Sequence, residues 1–436
     1  MFLKKLKQDI TKFAAFILCF SLLFSGFVAG SGTIDAEAKK SKKAETAEEP
    51  AQPVTGTVFT VARIDYEISE QATADAPGKV IIKGNSLKKK TKEVTVPAVV
   101  SCGGFEYVPS AVGDRAFVGS HFTSITFSSY ITAFGAYAFA MSSLESFEVP
   151  AGVKSIGEGA FVLSDMLKSV TVGRYATAIA QNAFSYCDSL TDIVIDAKNK
   201  AYTAEDGIIY NKKKTLLISG AGAGGKVVIP ETVKKISAYA FEGNHKITIA
   251  DLGSVITKIP ENAFYDCISL KKVIIGKQIT KISGNPFKYC ISLRSFNVDD
   301  GNTKYYGAGP MLYSKSRKTL YAYPSAQGSL VLPSSVKNIG EYAFCGCGLN
   351  DLLIPANVKN IAKGAFFDCS ALEEVTFEKR TQVLNTAIAS PEEMIFGNAT
   401  PYLVVVLPYS KNAGSEGSIE EALKLNSPST VIIVNK

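Results

Sequence analysis

The chain has 436 residues, 46% of them apolar, with 47 Lys and Arg set against 40 Asp and Glu for a formal charge of +7. That apolar content is enough for a large continuous core. A charge of this size favours solubility and a mild affinity for anionic polymers, and it does not point to a nucleic-acid fold.

Residues 1–38 read as a secretory signal peptide. Lys4, Lys5, Lys7 and Lys12 precede an apolar run from Phe13 to Val28, and the small-residue tail AGSGTIDAEA suits cleavage after Ala38, with Gly30 as the other candidate. The run is shorter than the roughly 20 residues that cross a bilayer, so no stable membrane span is expected after cleavage. Cys19 lacks the preceding small residues of a lipid-attachment signal. Residues 39–57, KKSKKAETAEEPAQPVTGT, are charged and poor in large apolar side chains, and are expected to form a disordered linker.

From residue 111 to about 400 the chain repeats itself. Phenylalanine recurs at 117, 139, 161, 184, 241, 264, 287, 344 and 366, mostly in the dipeptide Ala-Phe. The steps are 22 or 23 residues except for two of 57, and Phe161 and Phe264, Phe184 and Phe287, and Phe241 and Phe344 each stand 103 residues apart. A duplicated block with an insert in each copy explains both facts. Apolar positions keep a fixed phase around the phenylalanine: Ile256, Ile259, Phe264, Cys267, Leu270, Val273 and Ile275 in one period, Ile279, Ile282, Phe287, Cys290, Leu293, Phe296 and Val298 in the next. The alternating end of each period predicts a short strand, and the NAFYDC segment predicts a helical or 3₁₀ turn. No single period can bury its own apolar set, so the expected architecture is mainly β with short helical turns, a parallel solenoid of stacked coils. The inserts, about 197–225 and 299–327, each place two apolar runs around a basic turn and predict hairpins.

Within the first insert, residues 220–227 read GAGAGGKV. Gly220, Gly225 and Lys226 match the spacing of a phosphate-binding loop, but Val227 stands where Ser or Thr belongs. The run VVIPETV follows where a helix must open, so a plain turn is expected. The second copy, YPSAQGSL, keeps one Gly and no Lys.

The phase Val-x-x-Ile-x-x-x-Ala-Phe-x-x-Cys-x-Ser-Leu-x-x-Ile-x-Ile-Pro resembles the BspA-type leucine-rich repeats of bacterial surface and secreted proteins. NAFSYCDSL, NAFYDCISL and GAFFDCSAL carry the resemblance, which spans roughly residues 58–410. It implies a leucine-rich-repeat solenoid with terminal caps. Segments such as TVARIDYEI, GKVIIKG and KEVTVPAVV are similar to the strand-rich opening of such proteins, giving an N-terminal cap over 58–110. Residues 401–436 form the expected C-terminal cap, with a helix started by the Ser418 and Glu421 capping box and a strand at VIIV.

Chemistry is sparse. His121 and His245 are the two histidines, and both follow a repeat phenylalanine by four residues at a variable position expected to face solvent. No Gly-x-Ser-x-Gly elbow or His-Glu-x-x-His helix occurs, so no enzyme activity and no cofactor are expected. Cys187, Cys267, Cys290, Cys347 and Cys369 all stand three residues after the phenylalanine and are expected to form a ladder of free thiols. Cys345 with Cys347 and Cys369 lacks a fourth zinc ligand, and DDGNT at 299–303 lacks the rest of a calcium loop. Tyr305, Tyr306, Tyr313, Tyr321 and Tyr323 suggest hairpin packing more than a sugar platform.

What remains is charge. Outward strand positions carry Glu148, Asp192, Asp196, Asp251, Asp299, Asp351, Glu374 and Glu378, against Lys272. Six and seven residues ahead of the phenylalanine stand Lys154, Lys234, Lys235, Lys258, Lys281, Lys337 and Lys359. These positions predict an acidic strand face for a protein partner and a lysine ridge for an anionic polysaccharide, helped by Lys212 to Lys214. The resemblance adds adhesion to host proteins or other cells. The sequence therefore suggests a secreted or loosely wall-associated binding protein, with an auxiliary subunit of a polymer-degrading enzyme or an envelope component as alternatives.

Overall fold

The computed structural model describes residues 52–73, 75–379, 383–384, 394–397, 403–407 and 432–435, all within the unit Pro50–Lys436. The signal segment, most of the linker and the helix expected near residue 418 lie outside them. The described residues form a parallel β-solenoid without any helix. Strands Val58–Val61, Ile64–Glu70 and Gly78–Asn85 make an antiparallel meander. Gly78–Asn85 then pairs in parallel with Phe105–Val112, whose far end starts the stack of coils by pairing with Ala133–Phe134.

Each coil carries a two-residue strand before the phenylalanine and a longer one after it. The short strands stack in parallel, Ala133–Phe134 on Ser155–Ile156 on Ala178–Ile179. The long ones do the same, Ser146–Glu148 on Ser169–Val172 on Asp192–Ile195, and further along Ile247–Asp251 on Lys272–Ile275 on Ser295–Val298. Leu270, Val273 and Ile275 point inward and are fully buried, as the alternation predicts.

Between the two strands the expected helical turn is a different object. Residues two before and two after the phenylalanine are left-handed, as at Asn262 (φ 56°) and Asp266 (φ 56°), or Tyr137 (φ 57°) and Met141 (φ 55°). This alternation sends successive N–H groups in two directions. Tyr265 N and Cys267 N donate within the turn, to Asn262 O and Phe264 O. Phe264 N and Asp266 N donate to the next coil, to Pro286 O at 3.1 Å and Lys288 O at 2.9 Å. A helix would spend all of these donors internally, so turns replace it.

The phenylalanine carbonyl explains the cysteine ladder. Cys187, Cys267, Cys290 and Cys369 donate their thiols to the carbonyls of Phe161, Phe241, Phe264 and Phe344 in the preceding coil, at 3.0 to 3.1 Å. Ser164 holds the same position and donates to Phe139 O at 2.9 Å. All seven cysteines among the described residues are free, and burial holds the Cys267 thiol well above its ordinary range, in the protonated form that can donate.

The repeat phenylalanines are fully buried, yet they form three stacks where their even phase alone would imply one. Phe117, Phe139, Phe161 and Phe184 stack with centroids 5.1 to 5.5 Å apart. Phe241, Phe264 and Phe287 form a second column, and Phe344, Phe366 and Phe396 a third. The inserts cause the breaks. Each is a three-stranded antiparallel unit, Tyr202–Glu205 with Ile208–Asn211 and Leu216–Ser219, or Tyr305–Ala308 with Met311–Ser314 and Thr319–Ala322. Its last strand takes the place of a short strand, pairing in parallel with Lys235–Ile236 or Asn338–Ile339. Gly220 and Tyr323 then occupy the slot of the phenylalanine.

Two glycines of GAGAGGKV serve the fold. A Cβ on Gly220 would lie 2.1 Å from the Phe241 ring. Gly225 (φ 61°) forms a β-bulge at the start of Gly225–Val228, and Gly328 (φ 65°) repeats it in the second copy. Lys226 stands on a strand, not at the start of a helix, and no phosphate loop forms.

Two outcomes follow for stability. Phe264→Ala removes a buried ring from the middle of a column and should cost about 3 to 5 kcal/mol in thermal or denaturant unfolding; an unchanged midpoint would contradict the stacking. Cys267→Ser keeps a donor for Phe241 O and should leave unfolding nearly unchanged. Cys267→Val fills the space without a donor and should cost about 1 to 3 kcal/mol, so equal effects of the two would rule out the thiol's role.

Candidate binding faces

The long strands set the first candidate face. Strand pairing aligns their outward residues in rows running from coil to coil. One row reads Glu148, Thr171 and Val194, then Val228, Asp251, Ile274 and Asn297, then Val331, Leu353 and Thr376. A second contains Asp192, Lys226, Lys272, Asp351 and Glu374, so Lys226 joins Lys272 among the acids. Asp196, Asp299 and Glu378 stand just past the strand ends. The eight acids therefore fall in three rows, with Asp351 and Glu374 the pair in direct register.

Several of these acids already have work inside the molecule. Asp196 Oδ1 and Asp299 Oδ1 accept the N–H groups of Lys198 and Gly301, both at 2.8 Å, closing Asx turns. Glu378 Oε2 accepts Ala356 N, and Asp351 Oδ2 accepts the Ser329 hydroxyl at 2.8 Å.

Sequence reasoning passed over the apolar part of this face. Val194, Val228 and Val331 are 46%, 52% and 66% exposed on outward strand positions. Val228 and Ile274 line a shallow hollow of about 440 Å³ with Asp251, Asn297, Asp299 and Glu231. Val331 and Leu353 line a second of about 280 Å³, beside Asp351 and Glu374. The available signal was the 103-residue spacing of Val228 and Val331, which places both at the same point of the duplicated block.

The lysines lie on the short-strand side. Lys154, Lys234, Lys235, Lys258, Lys281, Lys337 and Lys359 are all exposed. Lys258 and Lys281 pair in direct register. Of the hairpin lysines, Lys214 is paired with Glu205, and Lys212 Nζ donates to Ala197 O at 3.2 Å.

A buried polar cluster occupies the turn side beside the first insert, and it corrects the reading of His245. That side chain is largely buried, with Nδ1 2.9 Å from Asp188 Oδ1 and Nε2 3.7 Å from Asp266 Oδ2. Asp188 and His245 both follow their phenylalanine by four residues, and stacking brings them together. Burial works against the imidazolium, but the two carboxylates outweigh it and raise the His245 pKa to about 9. Burial pushes the neighbouring Glu242 up to about 7 against a hydrogen bond from Ser185. His121 is exposed, as expected.

The other sequence candidates disperse. Cys347 and Cys369 lie 3.4 Å apart through sulfur, whereas Cys345 sits beside Tyr289 and Lys288. Tyr305 and Tyr313 are buried, Tyr306, Tyr321 and Tyr323 pack against the core, and Arg317 covers the Tyr306 ring at 4.0 Å. Asn302 of DDGNT is buried, and its amide spans the carbonyls of Gly276 and Ile279.

With this geometry in view, the chain belongs to the BspA type leucine rich repeat family, whose repeat region matches in six copies over residues 108–214, 224–309 and 317–394. Among solved structures it is similar to a leucine-rich repeat protein from Eubacterium ventriosum, at 21% identity over 72% of this chain and 82% of that one, with a TM-score of 0.46. It is similar to the pneumococcal vaccine antigen PcpA, at 18% identity over 88% and 100%, with a TM-score of 0.42. A leucine rich cell surface protein from Faecalibacterium prausnitzii is 19% identical over 74% and 96%, with a TM-score of 0.36. No curated protein matches the chain. Among the described residues no helix is long and apolar enough to cross a membrane.

The polar cluster makes stability depend on pH. Both His245 and Glu242 hold protons more tightly when folded, so the folded state binds more protons and stability falls as pH rises. Glu242 acts between about pH 4.5 and 7, and His245 between about 6.5 and 9. The unfolding midpoint should drop from pH 5 to 9, with His245 contributing on the order of 2 kcal/mol. Glu242→Gln should flatten the lower part of the profile and His245→Gln the upper part.

Proposed function

We propose that this is a non-catalytic binding protein exported from the cell, which docks a protein partner on the outward face of its long strands. The observation that carries the reading is the pair of exposed valines, Val228 and Val331, at equivalent points of the two copies. Outward positions of a solvated sheet are ordinarily polar, and an apolar stretch rimmed by acids is a common mark of a protein contact. Membership of a repeat family and the signal-like N-terminus support the same reading, as does the printed description of one similar structure as a cell surface protein. Adhesion to a host protein or cell is the role in which such a face serves an exported solenoid.

The test applies residues 39–436 to an array of extracellular matrix proteins. At least one protein should bind, and Val228→Asp with Val331→Asp should weaken it tenfold or more, about 1.4 kcal/mol, while leaving thermal unfolding unchanged. An absence of protein partners, or partners indifferent to both changes, overturns the reading.

A further inference from the structure

The lysine ridge resolves into two triads. In the first, Lys235, Lys258 and Lys281 stand six residues ahead of Phe241, Phe264 and Phe287 and each opens the short strand of its coil in three successive coils, with Lys258 and Lys281 paired in direct register. In the second, Lys318, Lys337 and Lys359 follow one another through backbone bonds, Lys337 N to Lys318 O and Lys359 N to Lys337 O, both at 2.8 Å. Lys318 comes from the second insert, which supplies the coil that repeat spacing alone would leave out. Lys154 and Lys234 belong to neither triad.

All six side chains are exposed, and none is in an ion pair among the described residues. That arrangement is electrostatically unfavourable by itself. Neighbouring parallel strands lie about 4.8 Å apart, well inside a Debye length of about 8 Å, and like charges directly opposite one another destabilise a sheet. An anion laid along the triads would remove the repulsion.

The neighbours specify the anion. Thr257 and Thr280 directly precede Lys258 and Lys281 of the first triad and are exposed. Beside the second runs an amide ladder, Asn360 Nδ2 to Asn338 Oδ1 at 2.6 Å and Asn338 Nδ2 to Thr319 Oγ1 at 3.2 Å. The inward partners are Ile259, Ile339 and Ile361, and the rings nearest the lysines, Tyr305 beside Ile282 and Tyr321 beside the second triad, are buried or packed against the core rather than open to stack a base. Hydroxyls and amides beside regularly spaced ammonium groups suit a polymer carrying both hydroxyls and charge. We infer that the two lysine triads bind an extended anionic polysaccharide along the solenoid axis, on a different face from the one proposed for the protein partner.

The test is binding of residues 39–436 to immobilised heparin across a salt series. Changing all six lysines to Gln should lower affinity tenfold or more and should reduce the slope of log K against log salt by about 4 to 5, at roughly 0.7 to 0.9 per lost contact. Lys88→Gln with Lys89→Gln and Lys90→Gln removes three exposed charges elsewhere and should change little. Each triad changed alone should lose more than this control. Equal losses from control and triad variants would reduce the effect to net charge and overturn the inference. So would polyphosphate or phosphatidylserine vesicles binding as tightly as heparin through the same lysines, because the hydroxyl-bearing polymer would then be unnecessary. Loss of heparin binding leaves the valine test untouched, so the two readings fail separately.

Discussion

The backbone around each repeat phenylalanine must bond within its own turn and to the next coil at the same time, and the rest of the molecule follows from that demand. Alternating right- and left-handed residues meet it, at a cost of roughly 1 to 2 kcal/mol for each left-handed side chain that is not glycine. Tyr137, Tyr186, Tyr239, Tyr289 and Tyr342 all accept that conformation. Their rings are part of the compensation. Gly159, Gly243, Gly346 and Gly364 lie against the rings of Tyr137, Tyr186, Tyr289 and Tyr342, so closely that a Cβ would fall 2.2 to 2.6 Å from a ring atom. At these four places a tyrosine on one coil is matched by a glycine on another, which couples coils through side chains as well as through backbone.

The inserts show how the array tolerates interruption. Each brings a shortened coil whose neighbours lose partners, and each copy repairs the loss differently. In the first, Lys246 Nζ reaches the carbonyls of Cys187, Leu190 and Ala221 at 2.8 to 3.3 Å. In the second, Ser325 Oγ donates to Leu293 O, the equivalent of Leu190. The entry to each insert is kept the same. Asn199 and Asn302 are buried, bond two carbonyls of the previous coil through Nδ2, and accept two N–H groups ahead of them through Oδ1. A shared entry explains why the two antiparallel units keep the same strand register although their sequences differ.

Much of this was legible because inward residues obey one phase. Ile259, Phe264, Leu270 and Val273 announce the solenoid, and two apolar runs around a basic turn announce each hairpin. The turn was not legible as such, because left-handed residues at Asn262 and Asp266 are a backbone property and Tyr and Met occupy equivalent positions. The break in the phenylalanine column was also hidden, since Gly220 and Tyr323 share no side-chain feature. His245 was misplaced because its partner Asp188 lies 57 residues away, across an insert. The candidate binding faces were legible by residue type but not by row: Lys318 joins its triad only once the insert strand is known to replace a short strand.

The duplication also separates residues held by the fold from those that are not. Positions identical in both copies include Asn199 and Asn302, Gly225 and Gly328, and Asp196 and Asp299, and each pair has an internal role in a buried amide network, a bulge or an Asx turn. Two further identical pairs have no such role. Val228 and Val331 project from the strand face, and Lys234 and Lys337 from the short-strand side, all exposed. Other exposed positions without an internal role have drifted, as Val194 against Asn297 shows. An outward side chain kept through duplication, with nothing inside the molecule to hold it, is most simply explained by a contact outside. The two kinds kept, an apolar one on one face and a cation on the other, match the two classes of partner proposed for those faces.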